Sequence, residues 1–172
     1  MVISKATLND VPALAVLVNT AYRGKESLKG WATEAHLLDG IRIDEETLQS
    51  YFDSPAITIL KYTNQTGELE ACVYLEVKQE ELYLGMLCVY PHLQDKGIGR
   101  QLLQAAEDHA LASGCEAITM TVISSRDKLI EWYERRGYAK TGEVLPFHEG
   151  SRFGIPKAPI QLLVLEKQLK QD

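Results

Sequence analysis

The segment Gln94-Asp95-Lys96-Gly97-Ile98-Gly99-Arg100 joins an apolar, strand-like stretch, Leu84 to Tyr90, to an amphipathic helix, and a second strand-like stretch, Ala117 to Ile123, follows. Few arrangements accept that order. A strand, a helix and a strand of these lengths make a βαβ unit, whose strands lie parallel and whose crossover is right-handed. Glycine at the turn lets backbone approach a ligand with no Cβ in the way, and the first helical turn offers unpaired N–H groups at the positive end of the helix dipole. Lys96 and Arg100 flank these glycines in a chain of net charge −6, so the local positive charge points to a phosphate ligand.

Two familiar phosphate motifs are excluded. A dinucleotide fingerprint needs a third glycine where this chain has Leu102, and no Gly-Lys-Ser/Thr follows to make a P-loop. A glycine turn that merely connects strand to helix remains the competing reading. Past the turn, Ile98, Leu102, Leu103, Ala106 and Ala110 share one helical face, Arg100, Gln104, Glu107 and Asp108 the other, and Gly114 is placed to end the helix.

With 172 residues and 45% hydrophobic content, the chain suffices for one good core, so residues 1–172 are read as a single domain. The longest clean apolar run, Ala13 to Val18, falls far short of the roughly 20 residues of a membrane span. No secretory signal is visible, and a cytoplasmic address is expected. Cys72, Cys88 and Cys115 lie in apolar contexts that fit buried free thiols. His36, His92, His109 and His148 lack zinc-ligand spacing, so no metal is expected. With no basic stripe, neither is a nucleic-acid partner.

Thr7 and Asp10 mark the start of a first helix, whose core face is Val11, Leu14, Leu17, Val18 and Ala21. Between Gly30 and Phe52 the pattern predicts two short helices, Thr33 to Leu38 and Asp44 to Leu48, in a segment with the character of a lid. Ile57 to Tyr62 and Leu69 to Val77 flank a turn and predict a hairpin, and a strand over Leu82 to Tyr90 ends at Pro91. Ser124 to Asp127 opens another helix, with Leu129, Ile130 and Tyr133 on one face and Gly137 as its stop. Strands over Tyr138 to Val144 and Ile160 to Leu165 bracket a loop holding three of the six prolines, a length that more often signals function than connection.

This order of elements resembles the GNAT family of acyl-CoA-dependent N-acyltransferases. The likeness rests on Leu87-Cys88-Val89-Tyr90-Pro91 with Gln94-Asp95-Lys96-Gly97-Ile98-Gly99, similar to the family's strand and pyrophosphate loop, and on Trp132-Tyr133-Glu134-Arg135-Arg136-Gly137-Tyr138, similar to the segment that completes the cofactor site. It implies an α/β (α+β) fold in which a mixed, mostly antiparallel sheet of about six to seven strands, with a splayed parallel pair, is flanked by about four helices. It also implies acetyl-CoA as cosubstrate, held by backbone N–H groups from Gln94 through Arg100 with the charges of Lys96 and Arg100, its arm lying along Leu87, Cys88 and Val89. Trp132 belongs to the same site. Many relatives carry asparagine where this chain has Arg126, so the contact to the cofactor arm there is made differently or is missing.

The resemblance further implies that a backbone N–H near Val89 stabilises the oxyanion and that Tyr133 protonates the departing thiolate. For the base Glu34 is the first candidate, with Glu76, Glu81, His148 and Glu149 as rivals. Glu34 alternatively holds a cationic amine. Trp31, Arg42, Phe147 and Phe153 are the acceptor-pocket candidates, with Arg42 either binding an acceptor carboxylate or pairing with Asp39 or Asp44. Cys88 as a covalent carrier ranks well behind direct transfer, since nothing near it in sequence lowers its pKa. The expected partner is a small primary amine, with a peptide or protein amine as a variant and a catalytically silent acyl-CoA sensor as the alternative. A monomer and a homodimer both fit.

Overall fold

The computed structural model describes residues 2–147 and 154–169. In chain order the elements are β1 (Val2–Lys5), α1 (Val11–Tyr22), α2 (Gly24–Ser27), β2 (Leu38–Asp39), α3 (Glu45–Tyr51), β3 (Ile57–Thr63), β4 (Leu69–Lys78) and β5 (Glu81–Val89). There follow α4 (Ile98–Ala112), β6 (Ala117–Ile123), α5 (Asp127–Glu134), β7 (Ala139–Pro146), β8 (Ile155–Pro156) and β9 (Gln161–Gln168). The main sheet has seven strands in the order β1-β3-β4-β5-β6-β9-β7, and every described neighbouring pair is antiparallel except β5 with β6. That parallel pair is the one the βαβ reading requires.

Each sheet face is covered by helix. On one side α4 buries Ile98, Leu102, Leu103, Ala106 and Ala110 against Leu60, Val73, Leu75, Leu82 and Leu84 of the sheet. On the other, α1 buries Val11, Leu14, Leu17, Val18 and Ala21 with Ile43 and Leu48 against Ile59, Cys72, Met86 and Cys88. The period-2 alternation of the strands assigns these partners, as Cys72 faces α1 while Ala71 and Val73 face α4.

One strand breaks that alternation. Leu82 and Leu84 of β5 face α4, and continued alternation would send Met86 and Cys88 the same way, yet both pack with α1. The cause is a bulge. Gly85 pairs with Tyr74 and Cys88 with Cys72, so β5 spends one more residue than β4 across the same interval, with Met86 at φ +55°. A non-glycine residue in the left-handed region costs about 1–3 kcal/mol, and such positions concentrate at functional sites.

The structure differs from the sequence reading in the lid segment and at the edges. Thr33 to Leu38 forms turns instead of a helix, because the Glu34 N–H donates to the Tyr22 carbonyl (2.8 Å) and Leu38–Asp39 pairs with Ile155–Pro156 as a separate two-stranded sheet. Short β1, absent from that reading, zips onto β3 from Val2↔Thr63 to Lys5↔Leu60. The described helices number five, one more than expected, α2 being a single turn after Arg23.

Candidate active site

Just before the bulge, β5 leaves its parallel neighbour. Pairing with β6 runs from Glu81↔Ala117 to Tyr83↔Thr119 and stops, so the β6-facing edge of β5 from Leu84 to Val89 has no described strand beside it. The Tyr90 N–H donates to the Glu70 carbonyl at 3.0 Å, toward β4. Val89, one residue earlier, therefore directs its N–H into the opening between the strands. Side chains take the place of a strand for the carbonyls on this edge: Tyr22 Oη donates to the Leu87 carbonyl, and Gln94 Nε2 to that of Val89 (3.1 Å).

Two cavities meet at this splay. The larger, about 420 Å³, is lined by Leu87, Cys88 and Val89, by Gln94, Asp95 and Gly97 to Arg100 at the start of α4, and by Trp132, Tyr133, Arg135 and Arg136 at the end of α5. Gly97 caps α4 at φ +83°, where an L side chain is strained. A Cβ on Gly99 would stand 3.6 Å from Trp132, in ordinary contact, so side-chain atoms beyond it would enter the cavity. Arg100, Arg135 and Arg136 all belong to this lining, and Arg136 stacks 3.8 Å from the Trp132 ring centroid, with Nη1 donating to the Trp132 carbonyl (2.7 Å). Desolvation, then the like charges of Arg135 and Arg100, lower its pKa, and its buried Nε has no hydrogen-bond partner among the described residues. A helix start, a bare backbone turn and three converging guanidiniums suit a ligand with several phosphates.

The smaller cavity, about 310 Å³, lies across the splayed strands. Its described lining includes Tyr22, Arg23, Glu34, Arg42, Tyr83, Thr121, Arg126 and Phe147. Tyr83 and Thr121 join their hydroxyls across the strand pair at 3.2 Å. Glu34 places Oε1 at 3.2 Å from Arg23 Nε and Oε2 at 3.8 Å from Arg126 Nη1. Arg23 Nη1 also donates to the carbonyls of Gly40 and Ile41, at 3.2 and 3.1 Å, which fixes the chain between α2 and α3 over the cavity. Arg42 has its guanidinium carbon 5.8 Å from the Tyr22 ring centroid.

Tyr133 is shared. With Leu87 and Leu129 it lines both cavities, and its ring packs edge-on against Trp132 and Tyr138 at 5.0 and 5.8 Å. Its hydroxyl makes no hydrogen bond to any described residue. Burial raises its pKa well above the ordinary phenol value, against smaller opposing effects of Arg126 and Arg136, so the phenol stays protonated at neutral pH.

The sequence candidates distribute unevenly over this geometry. Those from Leu87 to Arg100 gather at the larger cavity, except that Lys96 is exposed and outside its lining. Two candidates change sides. Trp31, expected with the acceptor, lines the larger cavity, because its N–H and that of Ala32 donate to Gln94 Oε1 (3.0 and 3.4 Å) and bind the lid segment to the glycine loop. Arg126, expected at the cofactor, lines the smaller cavity, drawn there by Glu34. Glu34, Arg42 and Phe147 line the smaller cavity, Glu76 bonds Tyr74 Oη (2.9 Å) away from both, and His148, Glu149 and Phe153 lie outside the described residues. Arg42 pairs with neither Asp39 nor Asp44: Asp39 stands 3.5 Å from Lys157, and Asp44 caps α3 through the Thr47 N–H (2.8 Å). Tyr22, Arg23 and Tyr83 had no site role in the sequence reading, and Arg135 and Arg136 entered it only within the segment likened to the one that completes the cofactor site. The two arginines after Tyr133, beside a phosphate loop, were the one available signal.

This fold and splayed site define an acyltransferase. Residues 25–138 match the model of the Acetyltransferase (GNAT) family, and the chain belongs to that family, whose members transfer acyl groups to amines. The uncharacterized N-acetyltransferase YhfO of Bacillus subtilis strain 168 is 29% identical over 147 residues, 80% of this chain and 89% of that protein. Mycothiol acetyltransferase of Propionibacterium freudenreichii subsp. shermanii is 30% identical over 97 residues, 53% of this chain but only 30% of its own length. The Escherichia coli ribosomal-protein-S18-alanine N-acetyltransferase superposes with a TM-score of 0.75 at 18% identity, over 99% of this chain and 95% of that one. The Salmonella typhimurium protein yncA, solved with its cofactor acetyl-CoA, gives 0.71 at 18% identity over 100% and 95%. At these identities the structures attest the fold. No described helix is long and apolar enough to cross a membrane.

Proposed function

We propose that this chain transfers the acetyl group of acetyl-CoA directly to a primary amine on a small molecule. The observation that carries the reading is the place of Tyr133, a protonated, buried phenol on the wall between a phosphate-suited cavity and a second, chemically distinct one. A silent sensor needs only the first cavity.

Acetyl-CoA supplies the acyl group as a thioester. The larger cavity fits such a ligand, with arginines and helix N–H groups for its phosphates and an unpaired strand edge for its amide-bearing arm. Arg100, Arg135, Arg136 and the backbone from Gly97 to Arg100 hold the phosphates. The Val89 N–H is aimed to donate where negative charge develops on the carbonyl oxygen. Tyr133 gives its proton to the departing sulfur, a transfer uphill by about 2 kcal/mol between ordinary phenol and thiol values, and the proton shed by the nitrogen as it becomes an amide restores the phenol through solvent. Burial disfavours both anions, so the difference stays modest. Cys88 is unsuited to carry the group, since its Sγ is buried 3.5 Å from that of Cys72.

Glu34 is assigned to positioning instead of proton removal. Its carboxylate oxygens are turned to the two guanidiniums, so it sets Arg23 and Arg126 around the cavity, and the acceptor amine loses its proton to solvent on entry. The test is a screen of primary amines for thiol release from acetyl-CoA, with the acetylated product identified by mass. Release with an acetylated amine is expected. Tight acetyl-CoA binding without release by any amine would leave the sensor.

A further inference from the structure

Arg126 is the anomaly of the smaller cavity. The residue is 7% exposed, yet neither Nη1 nor Nη2 has a hydrogen-bond partner among the described residues, and Glu34 Oε2, at 3.8 Å, is an ionic neighbour and not a bonded one. Leaving the donors of a buried charge unmade is costly, and an ion pair out of hydrogen-bond range repays only part of that. The two open nitrogens are the terminal pair, which together form the flat end of the guanidinium fork. That end matches the two oxygens of a carboxylate.

The surroundings agree in sign. The described lining holds Arg23, Arg42 and Arg126 against Glu34, so two positive charges are in excess within a chain whose net charge is −6. Arg126 caps the N-terminal end of α5 and Tyr133 lies two turns further along that helix, so both address one cavity from one element. A ligand on the Arg126 fork would reach toward the Tyr133 hydroxyl.

Resting on the transfer reading above, we infer that the acceptor is a small amino acid, its carboxylate seated end-on on Arg126 and its amine presented at Tyr133. Arg42 closes the seat as a second cation, and Arg23, held by Glu34 and the loop carbonyls, supports it. The cavity, about 310 Å³, is at the small end of the roughly 300–1,000 Å³ usual for ligand pockets, in keeping with a compact acceptor.

Matched acceptors test this without reliance on any variant. Amino acids, their carboxamides and the corresponding amines lacking the carboxyl group are compared for thiol release by the unaltered protein. The acids should be favoured about 30-fold or more in kcat/KM, within the 1.5–3 kcal/mol of hydrogen bonds to charged groups. Arg126→Gln should bring acid and amide to within about 3-fold while leaving the acetyl-CoA KM within about 2-fold, and Arg126→Lys should restore part of the preference. Calorimetry of N-acetyl amino acids on the CoA-loaded protein supplies a readout independent of turnover. If amines without a carboxylate react as well as acids, the carboxylate seat is overturned and the transfer reading stands. If no amine releases thiol but the acids bind in an Arg126-dependent way, the seat stands and the transfer reading falls. Loss of acetyl-CoA affinity in Arg126→Gln, with the acid preference intact, would return Arg126 to the cofactor and overturn the inference.

Discussion

The larger cavity takes most of its lining from the continuous stretch Leu87 to Arg100 and the end of α5, so the phosphate contacts proposed for it are largely backbone, whereas the smaller gathers residues from Tyr22 to Leu162. Backbone sites tolerate change at most side chains and fail at a few positions of fixed conformation. Side-chain sites depend on charges that must be held in place by other charges. The same fold thus carries a site robust to drift beside one that single substitutions can rebuild.

The largest effect should come from removing the charge that holds the smaller cavity together. Glu34→Ala removes the carboxylate that faces Arg23, whose side chain is 5% exposed, and Arg126, and breaking a buried pair in this way costs about 3–5 kcal/mol. Denaturant unfolding measures it. Arg100→Ala, an exposed charge on the larger cavity, should move stability by about 0.5 kcal/mol or less. Equal losses would erase the contrast between the cavities. Glu34→Gln, which keeps the shape, should raise the acceptor KM by a factor that does not change with pH; a loss that fades at high pH would restore Glu34 as the base.

Tyr133→Phe tests the wall between the cavities. A donor acting on the leaving group alone should lower turnover roughly 10- to 1,000-fold with little change in the acetyl-CoA KM. Because burial raises the Tyr133 pKa, deprotonation of the phenol should not curtail the rate until the pH passes about 10, and the variant should lose whatever alkaline limb the unaltered protein shows there. Stability shifts in the same sense. The folded state binds this proton more tightly than the unfolded chain, so the stabilisation is whole below about pH 10 and is lost as pH rises through the folded value. Unchanged turnover with an acceptor for which chemistry limits the rate would reduce Tyr133 to a packing residue between Trp132 and Tyr138.

How much of this was legible in the sequence follows the same division. The amphipathic spacing of α1 and α4, the strand Ala117–Ile123 and the glycine run are local patterns, and the elements form where those patterns lie. Thr33 to Leu38 has helical spacing as well, but its backbone is claimed by Tyr22 and by the small β2–β8 sheet, partners that no local pattern announces. The exchange of Trp31 and Arg126 has the same origin. Gln94 holds the first and Glu34 the second, each across a long stretch of chain. The bulge at Met86 is a backbone event in a strand of ordinary composition, and it follows directly where the pairing of β5 with β6 ends.

Gly99→Val sharpens the comparison at the smallest scale. A Cβ at this position meets Trp132 at 3.6 Å and Val89 Cγ2 at 3.9 Å, both ordinary contacts, so α4 should form as before. The γ-methyls then have only the cavity to enter, where they would hold a phosphate away from the N–H groups of the first turn. Acetyl-CoA affinity should fall about tenfold, or 1.4 kcal/mol, by calorimetry. Binding of an N-acetyl amino acid in the smaller cavity should be unaffected, since Gly99 is not part of its lining. A folded Gly99→Val protein that kept its acetyl-CoA affinity would show that the glycine run merely joins strand to helix, and the larger cavity would have to be reassigned.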